Sequence, residues 1–368
     1  MATNLAGIIF ANVGEFNMTE LTSKRTMASV PFGGKYRLVD FPLSNMSNSG
    51  INNVALIARN NFHSLTDHVG SGKAWDLSKR RSGLAVFSPY GGHSFVNRIE
   101  ALYHIRGYIE HLREDYIVLS NSNMAMNIDF QDVFESHLEN EADMTIVYKN
   151  MEIPAKKENP LVISTDSDGR IAKLLIHPNI EGNCNLTIGS MIIKKTLLLE
   201  LVKECMSANT IDFAKNFLQD NVCKLRMFGY EFKGHVSLIH SIDDYYKESM
   251  KLMDKEIRDE LFEPSRPIYT KVRDDAPSRY GLTSRVKGSL VAQGCKIDGE
   301  VENSIIFKGV RIGKGAKISN CIIMQDTTIA DNAVLDYVIV DKDVEISKDK
   351  ALSGTDTYPI YISKGSIV

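Results

Sequence analysis

The sequence predicts an α/β chain in two parts. Residues 1–260 read as a doubly wound, mostly parallel α/β domain, 261–287 as a linker, and 288–368 as a parallel β-helix of hexapeptide repeats. Three observations predict this. Short apolar runs alternate with helical patterns through the first part, a proline-containing mixed-charge stretch follows, and a six-residue aliphatic period then sets in.

Ile8-Ile9-Phe10, Val54–Ile57, Tyr116–Leu119 and Met144–Val147 are apolar on consecutive positions, as strands covered on both faces must be. Ile99–Leu112 and Asp132–Leu138 read as crossover helices. Lys194–Cys205 is Leu-rich and amphipathic, and Ile242–Ile257 opens on an acidic first turn that complements the helix dipole. In such a sheet the ligand sits beyond the carboxyl ends of the strands, which points to 11–22 and 120–126. The glycine pair Gly33-Gly34, flanked by Lys35 and Arg37, has the composition of a loop that offers backbone N–H groups to phosphate.

Phe262–Tyr280 holds three prolines and both signs of charge, the composition of a linker. Beyond it Ile306, Ile312 and Ile318 recur at six-residue spacing, as do Ile329 and Leu335, then Val340 and Ile346. Val310, Ala316 and Ile322 run in a parallel column, and one-residue slips fall at Ile323 and Val340. About three coils fit the period. Hexapeptide β-helices also serve acyltransferases, but those use a general-base histidine, and the last histidine here is His240. A structural, oligomer-forming β-helix is the expectation.

Composition excludes several classes. A net charge of −3 supplies no basic field for nucleic acid. No apolar run approaches the ~20 residues that span a bilayer. The five cysteines, Cys184, Cys205, Cys223, Cys295 and Cys321, are scattered and form no CxxC pair, which suits a reducing cytoplasm. His68 and His240 have no assignable partner in the sequence and read as structural.

Phe32–Phe41, Ser44-Asn45, Asn48–Ile51 and His68–Leu77 resemble bacterial glucose-1-phosphate adenylyltransferase, the glycogen and starch branch of the sugar nucleotidyltransferases. The likeness spans essentially the whole chain. It implies a Rossmann-like nucleotidyltransferase domain, a left-handed β-helix, a tetramer, and synthesis of ADP-glucose from ATP and glucose 1-phosphate with Mg²⁺. Set against that family's motifs, the catalytic positions are altered. The glycine-rich nucleotide loop reads Asn12–Thr22 here, with Glu15 and Asn17 where a glycine and the phosphate-clamping arginine are expected. The lysine of the next segment is Met27, and the two Mg²⁺ aspartates are Asn123 and Leu238. Mg²⁺ requires hard, charged oxygen ligands, which an amide and an isobutyl group cannot replace. Asp129 and Asp243 would take over only if the register were shifted.

The sugar-binding segments read Ile176-His177-Pro178 and Asn97–Ala101; only Asp212–Lys215 still resembles the family's segment, which leaves Lys215 as a residual phosphate contact. Losing one transition-state stabiliser costs about 10²–10³ in rate, so the resemblance implies a site with no catalysis of its own. It also implies that phosphorylated effectors bind near Lys24, Arg25 and Arg37; a solvated basic face is the other reading of that cluster. The expectation is a regulatory, catalytically degenerate subunit that assembles with a catalytic partner, in which alone Mg²⁺ would sit. An active nucleotidyltransferase of altered specificity and a stand-alone sugar-phosphate or nucleotide sensor are the alternatives.

Overall fold

The computed structural model describes residues 3–13, 18–79, 82–89, 95–153 and 160–368. Glu15 and Asn17 lie outside the described residues. A nine-stranded sheet forms the frame of the first domain. Its centre is parallel: Leu5–Phe10 lies between Val54–Ile57 and Tyr116–Asn121, with Leu84–Phe87 beyond Val54–Ile57. The other flank is antiparallel, because the long strand Asn183–Lys194 returns against both Tyr116–Asn121 and Met144–Glu152. The sheet is therefore mixed. Apolar clusters cover both of its faces, one around Ile8, Phe10, Ile117 and Leu119, the other around Leu5, Ile9, Val54 and Val118. Gly7 lets the helix Asp40–Asn48 approach closely, since a Cβ there would fall 2.4 Å from the Met46 sulfur.

Two expected helices are each broken. Ile99–Leu112 becomes Arg98–His104 and Arg106–His111, with Ile105 off helical geometry and Gly107 weakening the run. Ile242–Ile257 becomes Ile242–Met250 and Lys255–Leu261, because the Asp254 side chain caps the N–H of Glu256 and starts a new helix.

The β-helix has three parallel faces of five strands each. Ile297, Ile312, Ile329 and Ile346 stack on one face, Val301, Ile318, Leu335 and Leu352 on the second, and Ile306, Ile323 and Val340 on the third. The slips at Ile323 and Val340 are thus regular corners. Each shortens one side, so Ile312, Ile329 and Ile346 repeat every 17 residues. The stack is taller than three coils and begins at Arg279–Tyr280 and Arg285–Lys287, inside the stretch read as linker. That first rung lies at the open end of the stack, where Tyr280 and Leu282 are exposed and only Val286 continues an aliphatic column.

The third face turns outward onto the first domain. Ile305, Ile322 and Ile339 join Phe32, Tyr36, Phe41 and Tyr245 in one buried cluster. Tyr245 Oη donates to the Pro31 carbonyl (2.8 Å), and Tyr246 Oη reaches across to the Asn320 carbonyl (2.8 Å).

Candidate functional site

Two places in the molecule gather the residues singled out above. The first is a cavity of about 580 Å³ beyond the carboxyl ends of the central strands. Asn121 and Asn123 enter it from the end of Tyr116–Asn121 and the turn that follows. Leu238 and His240 enter from the neighbouring strand Val236–Leu238 and its exit. Leu238 pairs with Met124, and the Ile239 N–H donates to the Asn123 carbonyl (3.0 Å), so Asn123 and Leu238 sit side by side on the cavity wall. Both are buried.

The rest of the lining follows the altered segments. Asn97 Oδ1 accepts from the Glu100 N–H (2.9 Å) while Glu100 Oε2 accepts from the Val96 N–H (2.6 Å), a capping arrangement that starts the helix at Arg98. The Arg98 guanidinium lies over the Phe10 and Phe213 rings at 5.5 and 5.2 Å and donates to the Val13 carbonyl. His177 lines the wall in a left-handed backbone conformation. Phe213–Leu218 is wound as a π-helix, which stacks Phe213 on Phe217 at the cavity edge.

The donor set does not fit Mg²⁺. Asp212 is the one carboxylate among the described lining residues, and its Oδ1 is engaged by the Lys215 N–H. Asp129 caps its own helix through the Gln131 N–H, and neither it nor Asp243 lines the cavity. Lys215 is exposed and off the lining, and Met27 is packed in the interdomain cluster instead. The glycine pair also lies elsewhere. Gly33 and Gly34, at φ 60° and 84°, form the turn of the small hairpin Pro31–Arg37, and a Cβ on Gly34 would face Ala292 and Ile306 of the β-helix.

The second place is the seam between the domains, where the basic residues converge. Arg25 is buried and its Nη2 grips both oxygens of Asp341 (2.8 and 3.0 Å). Its Nη1 is buried with no hydrogen-bond partner among the described residues. Asp341 also accepts from Tyr361 Oη (2.8 Å). Arg37 donates to the carbonyl and hydroxyl of Ser64, and burial lowers its pKa. Lys24, exposed, reaches the Lys364 carbonyl (3.3 Å).

His68, which the sequence left without a partner, donates from Nε2 to Asp40 Oδ1 (2.6 Å), and Asp40 Oδ2 takes the Arg37 N–H. Desolvation lowers the His68 pKa against the pull of Asp40. The sequence reading missed Lys342. Burial, then the charges of Arg37 and Arg25, push its pKa down to about 7. Its only sequence signal is its place beside Asp341, at a β-helix corner that no local pattern connects to Arg25.

Two family models match the chain, nucleotidyl transferase over residues 17–255 and a GlmU-like C-terminal hexapeptide over 271–358. The chain is 35% identical to the glycogen biosynthesis protein GlgD of Bacillus subtilis (strain 168), over 99% of this chain and 96% of that one. The chain belongs to the family of GlgD and glucose-1-phosphate adenylyltransferase. It is also 36% identical to a GlgD of Geobacillus stearothermophilus, over 86% of this chain and 84% of that one. To a glucose-1-phosphate adenylyltransferase of Clostridium perfringens (strain 13 / Type A) it is 30% identical, over 84% of this chain and 80% of that one. Among the described residues no helix is long and apolar enough to cross a membrane.

Proposed function

We propose that this chain is a regulatory, catalytically degenerate subunit of glucose-1-phosphate adenylyltransferase in glycogen biosynthesis. The catalytic partner would convert ATP and glucose 1-phosphate to ADP-glucose and diphosphate, and this chain would modulate it within a hetero-oligomer. The observation that carries the reading is the adjacent pair Asn123 and Leu238 on the cavity wall, which offers no carboxylate to a divalent cation. The kinship to GlgD and to adenylyltransferases supports the pathway and the kind of partner. Coupling needs no chemistry in this chain. A subunit that contacts two states of its partner differently shifts the balance between them.

The seam is the natural place for a phosphorylated effector. The unpaired Arg25 Nη1 supplies a buried donor, and Arg37, Lys342 and Lys24 surround it with positive charge. An anion there would return to Lys342 the proton that burial withdraws. Sulfate, a stand-in for phosphate whose charge is fixed across this range, should bind more tightly by calorimetry as pH falls through about 7, and Lys342→Met should flatten that dependence.

The central test is ADP-glucose formation by the chain alone and mixed with the catalytic subunit. The proposal expects no turnover alone and a changed rate or substrate affinity on mixing. Robust activity of the chain alone would remove the degenerate reading, and an unchanged rate on mixing would remove the regulatory one.

A further inference from the structure

The two solvent-facing sides of the β-helix handle charge in opposite ways. On the second face, Arg285, Glu300 and Lys317 stack in register, alternating in sign, and Lys287 pairs with Glu302 at 3.2 Å. On the first face, Arg279, Lys296 and Arg311 stack in register on adjacent rungs, all exposed and all positive. None of the three makes a side-chain hydrogen bond or ion pair with a described residue. Asp298, the carboxylate nearest them in sequence, lies over Gly281 at the corner and pairs with none of them. Like charges directly opposite on neighbouring strands destabilise a sheet. Here three sit in a row while the adjacent face of the same coil compensates its charges.

We propose that this cationic ladder is a docking face for a carboxylate ladder on another hexapeptide β-helix, that of the catalytic partner. The identity of the partner rests on the reading above; the choice of face does not. Pitch supports the kind of occupant. Rungs of any parallel β-helix repeat at the strand spacing of about 4.8 Å, so two coils lying side by side keep opposite charges in step over several rungs. A second copy of this chain does not complement the face. Its second face alternates, its third is apolar and covered by the first domain, and the first carries a single glutamate, Glu345, at its far end.

The test uses the full chain and the catalytic subunit encoded in the same genome, with affinity measured by surface plasmon resonance over a salt series. Lys296→Glu/Arg311→Glu should weaken association about tenfold or more and reduce its salt dependence. Lys173→Glu/Lys203→Glu, an equal change of net charge on the first domain, should leave affinity within about twofold. Thermal melting of the ladder variant should not fall below wild type, since the variant leaves one like-charge contact, between positions 296 and 311, and turns the contact with Arg279 attractive.

Unchanged affinity in the ladder variant would overturn the docking face and leave the subunit reading intact. An equal loss in both variants would overturn it as unspecific attraction. A wild-type chain that self-associates through the ladder would overturn the choice of partner. Absence of any complex with the catalytic subunit would overturn both readings.

Discussion

Asp341 has three partners and one position at which to satisfy them. Both oxygens hold Arg25, one also takes the Tyr361 hydroxyl and the other the Lys342 N–H, and the pair is almost fully buried. Replacing such a pair by matched apolar groups can be nearly neutral, whereas removing one partner strands the other charge. Asp341→Asn should therefore cost about 3–5 kcal/mol in urea unfolding, and Arg25→Met/Asp341→Leu should recover most of the loss. His137 poses a different problem. Its Nδ1 meets Thr145 Oγ1 at 2.8 Å, its Nε2 has no partner, and burial drives its pKa down to about 4. The folded state thus resists a proton that the unfolded chain accepts near pH 6.5. Stability should be full above that pH and decline as pH falls toward 4. His137→Gln should unfold with a shallower pH dependence between those limits in denaturant titrations.

The apolar runs gave strands where the sequence placed them because a strand covered on both faces leaves no other reading of four consecutive aliphatic residues. The β-helix was legible from Ile306 onward for a similar reason: each rung repeats the same inward demand for Ile or Val. Its first rung was not, since residues at the open end of a stack face no rung before them. The helix break at Asp254 escaped because a cap competes locally with a pattern that continues through it, and the break at Ile105 has no side-chain cap to mark it. Asn123 and Leu238 lie side by side on the cavity wall, while Met27, Lys215 and the glycine pair lie elsewhere. Their sequence neighbourhood says nothing of which domain they will face. Ile323→Ala tests the element itself. It removes a fully buried side chain from the column between Ile306 and Val340 and should cost about 2–5 kcal/mol, read from denaturant midpoints.

Seen whole, the two domains share a core. Phe32, Phe41 and Tyr245 are fully buried in one cluster with Ile305, Ile322 and Ile339 of the β-helix. The full chain should accordingly melt in one transition. A fragment ending at residue 270 should bind a hydrophobic dye and melt lower, measured by fluorescence and calorimetry. Two well-separated transitions in the full chain would contradict a shared core.

The 17-residue rung carries a further consequence, for insertions and deletions. A single residue gained or lost inside one of the short strands turns the aliphatic column out of the coil, since neighbouring strand residues face opposite sides. Removing one whole period, by joining Ile312 to the residue after Ile329, keeps every ladder continuous. Yet it would draw Asp341 one rung, about 4.8 Å, away from Arg25. The coil tolerates any number of rungs, but the seam accepts one. The buried ion pair works as a length gauge, fixing how tall the C-terminal domain can be.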